Sequence, residues 1–220
     1  MAGPIDGVVA LHNAFRRDMA GIDAAALDSA RGKPGLAATV ERFRFFNEVL
    51  VWHAQGEELA IFPVLEEVAP AVAEAYLKDH RALEAAFDGL SNAVSAHDAL
   101  ETARATAAFK FHLDLHLDKE DTHLYRLIRE RVSVPDQIKA VGTMSSTMPG
   151  NRVPEFTAWI YPLLDDDDRE NFTRALQMLM PWEVFAPTIP LIHQATGDGF
   201  AELTRRIPEL ANGNADGPCP

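Results

Sequence analysis

Along the first 131 positions apolar residues recur at three- and four-residue intervals, the pattern of helices that each bury one stripe. The first predicted helix runs from about Pro4 to Ile22, striped by Ile5, Val8, Val9, Phe15, Met19 and Ile22. A looser stretch through Arg31-Gly-Lys-Pro-Gly35 leads to a second, from about Leu36 to Glu66, with Phe43, Phe46, Val49, Leu50, Ile61 and Val64 on one side. Pro63 is expected to kink its end, because proline cannot bond back to the carbonyl four residues earlier. A third helix starts near Pro70, a good first-turn proline, and carries Val72, Ala73, Tyr76, Leu77, Leu83, Phe87 and Leu90. The fourth covers about Ala99 to Arg131, with Ala105, Ala108, Phe109 and Leu127 along its stripe. Between Ser29 and Val132 there is no alternating β-branched run of the kind a strand needs. The predicted fold is all-α: an antiparallel up-down four-helix bundle.

Beyond residue 131 the pattern changes. Met144 to Val153 is rich in turn formers, and Asp165 to Asp168 precede a helical stripe of Phe172, Ala175, Leu176 and Leu179, where acidic residues favour a helix N-terminus. Short helices are predicted near 134–142, 154–163, 168–180, 182–193 and 199–207, punctuated by Pro154, Pro162, Pro181, Pro187 and Pro190. Trp159, Phe172, Trp182, Phe185 and Phe200 make this a packed extension rather than a tail. The chain therefore divides into a bundle (1–131), a helical extension without an assigned role (132–210) and a disordered tail (211–220).

Composition narrows the choice of function. Lysine and arginine number 20 against 33 aspartates and glutamates, a formal charge of −13, which argues against nucleic acid and against anionic membranes. The single cysteine, Cys219, rules out an intramolecular disulfide and thiolate zinc sites. The N-terminus lacks a signal pattern, and no uncharged run approaches the roughly 18 residues of a membrane span, so a cytoplasmic location is expected.

The chemistry lies in a near-repeat, His53-Ala-Gln-Gly-Glu57-Glu58 and His116-Leu-Asp-Lys-Glu120-Asp121. Positions i and i+4 share a helix face, so each segment offers one imidazole and one carboxylate to the same point. His12 and His80 sit in the apolar stripes of two other helices. A buried carboxylate without a partner is costly, and Glu57 and Glu120 lie on the inner stripes. Two cations bridged by them resolve that conflict, with His12, His53, His80 and His116 in the outer positions. Imidazole with carboxylate suits iron, manganese or zinc. Glu58 and Asp121 turn about 100° away from the residues before them. They read as partners of the ligands or as solvent-facing groups, although Asp121, five residues from His116, could also reach a metal. His112 and His123 flank the fourth-helix motif and either donate hydrogen bonds to ligands or complete an outer position. His97 and His193 read as structural or exposed.

On these residues the chain resembles the hemerythrin-like, or HHE cation-binding, family of four-helix di-iron proteins. The matching pattern is His12, His53-x-x-x-Glu57, His80 and His116-x-x-x-Glu120, with Glu57-Glu58-Leu-Ala-Ile-Phe62-Pro63 and Glu120-Asp121-Thr-His-Leu-Tyr125 as flanking signatures. The resemblance covers about residues 4–131. It implies two iron ions, Fe2+ or Fe3+, bridged by Glu57, Glu120 and an oxo, hydroxo or water oxygen. One departure stands out: oxygen-carrying hemerythrins pair two histidines four residues apart on the third helix, whereas Tyr76 precedes His80 here. Tyr76 could approach the metal, hydrogen-bond a bound oxygen species, or pack. The shortfall of an imidazole shifts weight from reversible oxygen carriage toward binding or reducing O2, hydrogen peroxide or nitric oxide, with catalase-like turnover included. The alternatives are an iron or oxygen sensor and an oxygen-binding protein without turnover. The extension would cover one side of the bundle, limit access to the metals or form a homo-oligomer contact.

Overall fold

A computed structural model describes residues 3–212, and every regular element among them is helical. Helix α1 spans Pro4–Ala30, eight residues past its predicted end at Ile22. The run Asp23 to Leu27 holds three alanines, the best helix formers, and the helix stops only where Gly32 takes a φ of 85°. Next come α2 (Leu36–Gly56), α3 (Phe62–Val68), α4 (Ala73–Ser95), α5 (Ala99–Lys119) and α6 (Tyr125–Arg131). Connections of a few residues make consecutive long helices antiparallel. Helix α1 packs between α2 and α5, and α5 packs on α4.

Two of the predicted helices contain an irregularity that their sequence does not announce. Glu57–Ile61 and Glu120–Leu124 each form one turn of π-helix between α2 and α3 and between α5 and α6. Each begins on a glutamate of the near-repeat. The break expected at Pro63 therefore lies upstream of it; the proline occupies the first turn of α3, where a missing N–H is harmless. Pro70 does not open α4 either. The Glu66 carboxylate accepts hydrogen bonds from the backbone N–H of Ala71 and Ala73, 2.8 Å each, and Ala71 adopts a φ of 68°, so the chain turns once more before α4 begins.

The extension comprises α7 (Val134–Ser145), α8 (Val153–Ile160), α9 (Asp166–Leu179), α10 (Trp182–Phe185), α11 (Ile189–Thr196) and α12 (Phe200–Arg206). Ser133 and Asp165 cap α7 and α9 through their side chains. Helix α9 lies along α1, while α7 lies against α2 and the first π turn. Trp159 donates to the buried Asp18 carboxylate, 2.7 Å, and Arg17 binds Asp165 and Asp168. Of the expected tail, residues 211 and 212 close a 3₁₀ turn, Pro208–Asn212, and 213–220, with Cys219, fall outside the described residues.

Close approach of α9 to α1 requires Gly7, because a Cβ there would stand 2.4 Å from the Ala175 Cβ. Gly7→Ala is expected to cost about 1–3 kcal/mol in urea unfolding through overpacking. Gly89→Ala, at a helical position with open space around it, should be neutral or stabilising by up to about 1 kcal/mol. Equal midpoints for the two variants would show that the helices are not in contact at Gly7.

Candidate metal centre

Four helices bring His12, His53, Glu57, His80, His116 and Glu120 to one point in the bundle. All six are buried, and both glutamates are fully so. Their donor atoms form two groups that share the carboxylates: His12 and His53 with Glu57 and Glu120, and His80 and His116 with the same pair. Within each group the donor atoms lie no more than 4.8 Å apart. Phe15 packs edge-on to His53 and Phe62 is tilted against His80, which keeps the centre in an apolar shell.

The spacing fits bound cations. Two donors about 2.1 Å from one ion lie about 3.0 Å apart at a right angle and about 3.4 Å apart at the tetrahedral angle. Here the Nε2 atoms of His12 and His53 are 2.9 Å apart, and His53 Nε2 is 3.3 Å from Glu57 Oε1. On the other side His80 Nε2 is 3.3 Å from Glu57 Oε2, and His116 Nε2 is 3.3 Å from Glu120 Oε1. Several of these inward atoms, Glu57 Oε2, both Glu120 oxygens and His80 Nε2, are buried without a hydrogen-bond partner. Each such atom costs about 1–3 kcal/mol unless something satisfies it, and a cation does so while compensating the charge.

Electrostatics tell the same story. Burial and the neighbouring Glu57 charge push the Glu120 carboxyl well above the usual range. Burial also acts to raise Glu57, but the His53 and His80 imidazoles outweigh it and hold this carboxyl well below its ordinary value. Without metal the pair thus retains a proton, as like charges at close quarters require. Burial lowers the pKa of His12, and lowers that of His116 to about 3, which keeps both nitrogens unprotonated and free to ligate.

Outer nitrogens of two histidines are hydrogen-bonded to carboxylates, the arrangement that fixes a ligand's orientation. His12 Nδ1 lies 2.8 Å from Asp121 Oδ1, while Asp121 Oδ2 binds Arg16, and His80 Nδ1 lies 2.8 Å from Glu58 Oε1. His116 Nδ1 has Asp79 at 3.8 Å, too far for a hydrogen bond, and is left unpartnered. Glu58 and Asp121 therefore stand behind the inner residues. The remaining candidates point elsewhere. His112 and His123 are exposed rather than on the inner face: the π turn carries His123 off the stripe of His116 and Glu120, while His112, one turn before His116, lies at the surface beside it. Tyr76 is buried, and its hydroxyl pairs with His123 Nδ1 at 2.9 Å and donates to the Lys119 carbonyl at 3.3 Å.

Sequence reasoning placed Tyr125 in the flanking signature and gave it no role. Tyr125 is fully buried and donates to Glu57 Oε1 at 2.5 Å. Five residues after Glu120 on a regular α-helix would turn about 140° past the glutamate's face; the π turn absorbs one residue and brings Tyr125 back. Phe62 stands in the same relation to Glu57.

Glu57→Ala and Glu120→Ala should each fail to retain two metals per chain after dialysis, measured by elemental analysis. Glu58→Gln and Asp121→Asn should retain both with about 10–100-fold weaker affinity. Full loading in the alanine variants would mean the carboxylates do not hold the ions.

Known proteins place this geometry. The chain is 26% identical over 179 residues to the zinc finger protein BRUTUS of Arabidopsis thaliana, covering 78% of this chain and 14% of that protein. A BRUTUS-like zinc finger protein of the same plant is 22% identical over 191 residues, 82% of this chain and 15% of the relative. The chain thus spans about one seventh of the length of the curated relatives it matches. No solved structure gives a significant match. The family model of the hemerythrin HHE cation-binding domain matches residues 3–128, the stretch that supplies all six donor residues, and this chain belongs to that family.

Proposed function

We infer that the protein holds two iron ions between Glu57 and Glu120, and that this centre binds or reduces a small oxidant: O2, hydrogen peroxide or nitric oxide. The observation that carries this reading is the pair of donor groups sharing two carboxylates, each group with two imidazoles. The hard oxygen and borderline nitrogen donors suit iron among the metals such a site accepts. When bound, two adjacent irons supply two electrons to one small molecule and an open position to receive it.

The protein's own groups set the conditions. Four imidazoles fix the positions of the ions, two of them steadied by Asp121 and Glu58. Without metal, burial and the Glu57 and Glu120 charges push the Tyr125 phenol well above its ordinary range, and its hydroxyl donates to Glu57, which holds that carboxylate in one orientation. The surrounding Phe15, Phe46, Ile61 and Leu124 are buried and keep water and charged solutes from the centre. No helix among the described residues is long and apolar enough to cross a membrane.

Anaerobically reduced, iron-loaded protein should change its visible spectrum within mixing time on exposure to air or to one equivalent of peroxide. Tyr125→Phe should retain both irons and shift the resulting bands. Stoichiometric iron with neither spectral change nor consumption of either oxidant would defeat this reading.

A second reading, an iron or oxygen sensor, is favoured by one contact. Helix α7 lies on the π turn that starts at Glu57, and a Cβ on Gly56 would stand 2.6 Å from the Met144 side chain and 2.7 Å from its carbonyl. Through this contact a movement of Glu57 on metal loading would be passed to the extension. Sensing predicts that limited proteolysis cuts the 146–149 connection faster without iron than with it; the same cleavage pattern in both states would remove the sensor reading.

A further inference from the structure

Between the bundle and the extension lies a cavity of about 370 Å³. Val8 and Leu11 of α1, Trp52 and His53 of α2, Val141 of α7 and Leu176 of α9 are among the residues on its walls. No aspartate, glutamate, lysine or arginine among the described residues borders it. The hydroxyls at one rim are already committed: Ser145 donates to the Val141 carbonyl, Ser146 to Thr143 and Thr147 to Trp52. A space of this kind offers water too few partners and accepts apolar molecules instead. Its volume lies within the range of small-molecule binding sites.

One polar group of a residue on the wall is unspent. The outer nitrogens of His12 and His80 are hydrogen-bonded to carboxylates, and that of His116, unpartnered, has Asp79 at 3.8 Å; His53 Nδ1 is buried with no carboxylate beside it and no partner among the described residues. With its Nε2 directed at Glu57 and His12, His53 carries its ring proton on Nδ1 when it ligates, so that N–H requires an acceptor. His53 is also the one histidine of the centre that borders the cavity.

We propose that the cavity is a binding site for an uncharged, mostly apolar organic molecule, whose single acceptor oxygen takes the Nδ1 proton of His53. The molecule supplies from outside the partner that Asp121 and Glu58 supply to His12 and His80. Its presence is then felt at the metals through one ligand, because a hydrogen bond to the outer nitrogen makes the inner one more basic. The extension, which closes the cavity through α7 and α9, is what gives this bundle the site. Binding itself does not depend on the oxidant reading, since the walls are present with or without iron.

The test uses three probes of one shape: 2-acetylnaphthalene, which has a ketone; 2-ethylnaphthalene, which lacks the acceptor; and 2-naphthoate, which is charged. Each is titrated into metal-free and iron-loaded protein, followed by probe and tryptophan fluorescence. The ketone should bind both forms at one per chain, at least tenfold tighter than either analogue, and should shift the visible bands of the loaded form. Gly142→Leu, whose Cβ meets only a Leu179 methyl at 4.0 Å, should abolish binding while metal content and melting temperature stay unchanged. The comparison of probes on the unaltered chain decides the matter even if that variant does not fold. Failure of all three to bind up to their solubility would overturn the site and leave a space for gas alone. Ketone binding no tighter than the hydrocarbon would remove the role assigned to His53 Nδ1, unshifted bands would remove the link to the metals, and undiminished binding in folded Gly142→Leu would put the ligand elsewhere. Iron that ignores oxidants while the ketone still binds would sink the oxidant reading and spare this one.

Discussion

Two glutamates with no exposed surface face each other in the middle of an apolar bundle, and mutual repulsion and lost hydration both disfavour their charges there. Everything near them answers that problem. Imidazoles from four helices direct nitrogens toward the pair, and the phenol of Tyr125 donates to one carboxylate. Without cations the answer is incomplete, because both oxygens of Glu120 and one of Glu57 are left unpartnered. The bundle is thus built around a charge deficit that metal ions are suited to fill.

Helix periodicity made the inner residues visible before the fold was known. His53 with Glu57 and His116 with Glu120 fall four residues apart, and His12 and His80 interrupt apolar stripes where a core would otherwise take leucine. What periodicity could not show was the local widening at each glutamate. The segments EELAI and EDTHL have ordinary helical composition, and propensity does not distinguish a bond to the fourth residue from one to the fifth. Tyr125 was lost with that distinction, and His123 gained an inward orientation it does not have; His112, which precedes the turn, is exposed as well. Tyr76 was left with three roles, to approach the metal, to bond a bound oxygen species or to pack, and only tertiary packing against His123 shows where its hydroxyl goes.

The extension was legible as packed helices from its aromatic residues and proline punctuation, while its relation to the bundle was not. Contacts between distant segments leave no periodic trace. Gly7 and Gly56, where α9 and α7 leave no room for a side chain, look in sequence like mere weaknesses in a helix. Their lack of side chains lets the extension sit close enough to form one wall of a cavity whose other wall includes a histidine of the centre. The same contacts tie the geometry of the π turn at Glu57 to a segment outside the family core.

Anomalous scattering at the iron edge from crystals of iron-replete protein tests the central claim most directly. The account predicts two peaks per chain between Glu57 and Glu120, one bordered by His12 and His53 and the other by His80 and His116. A single peak, or none with the carboxylates paired through a shared proton, would contradict it.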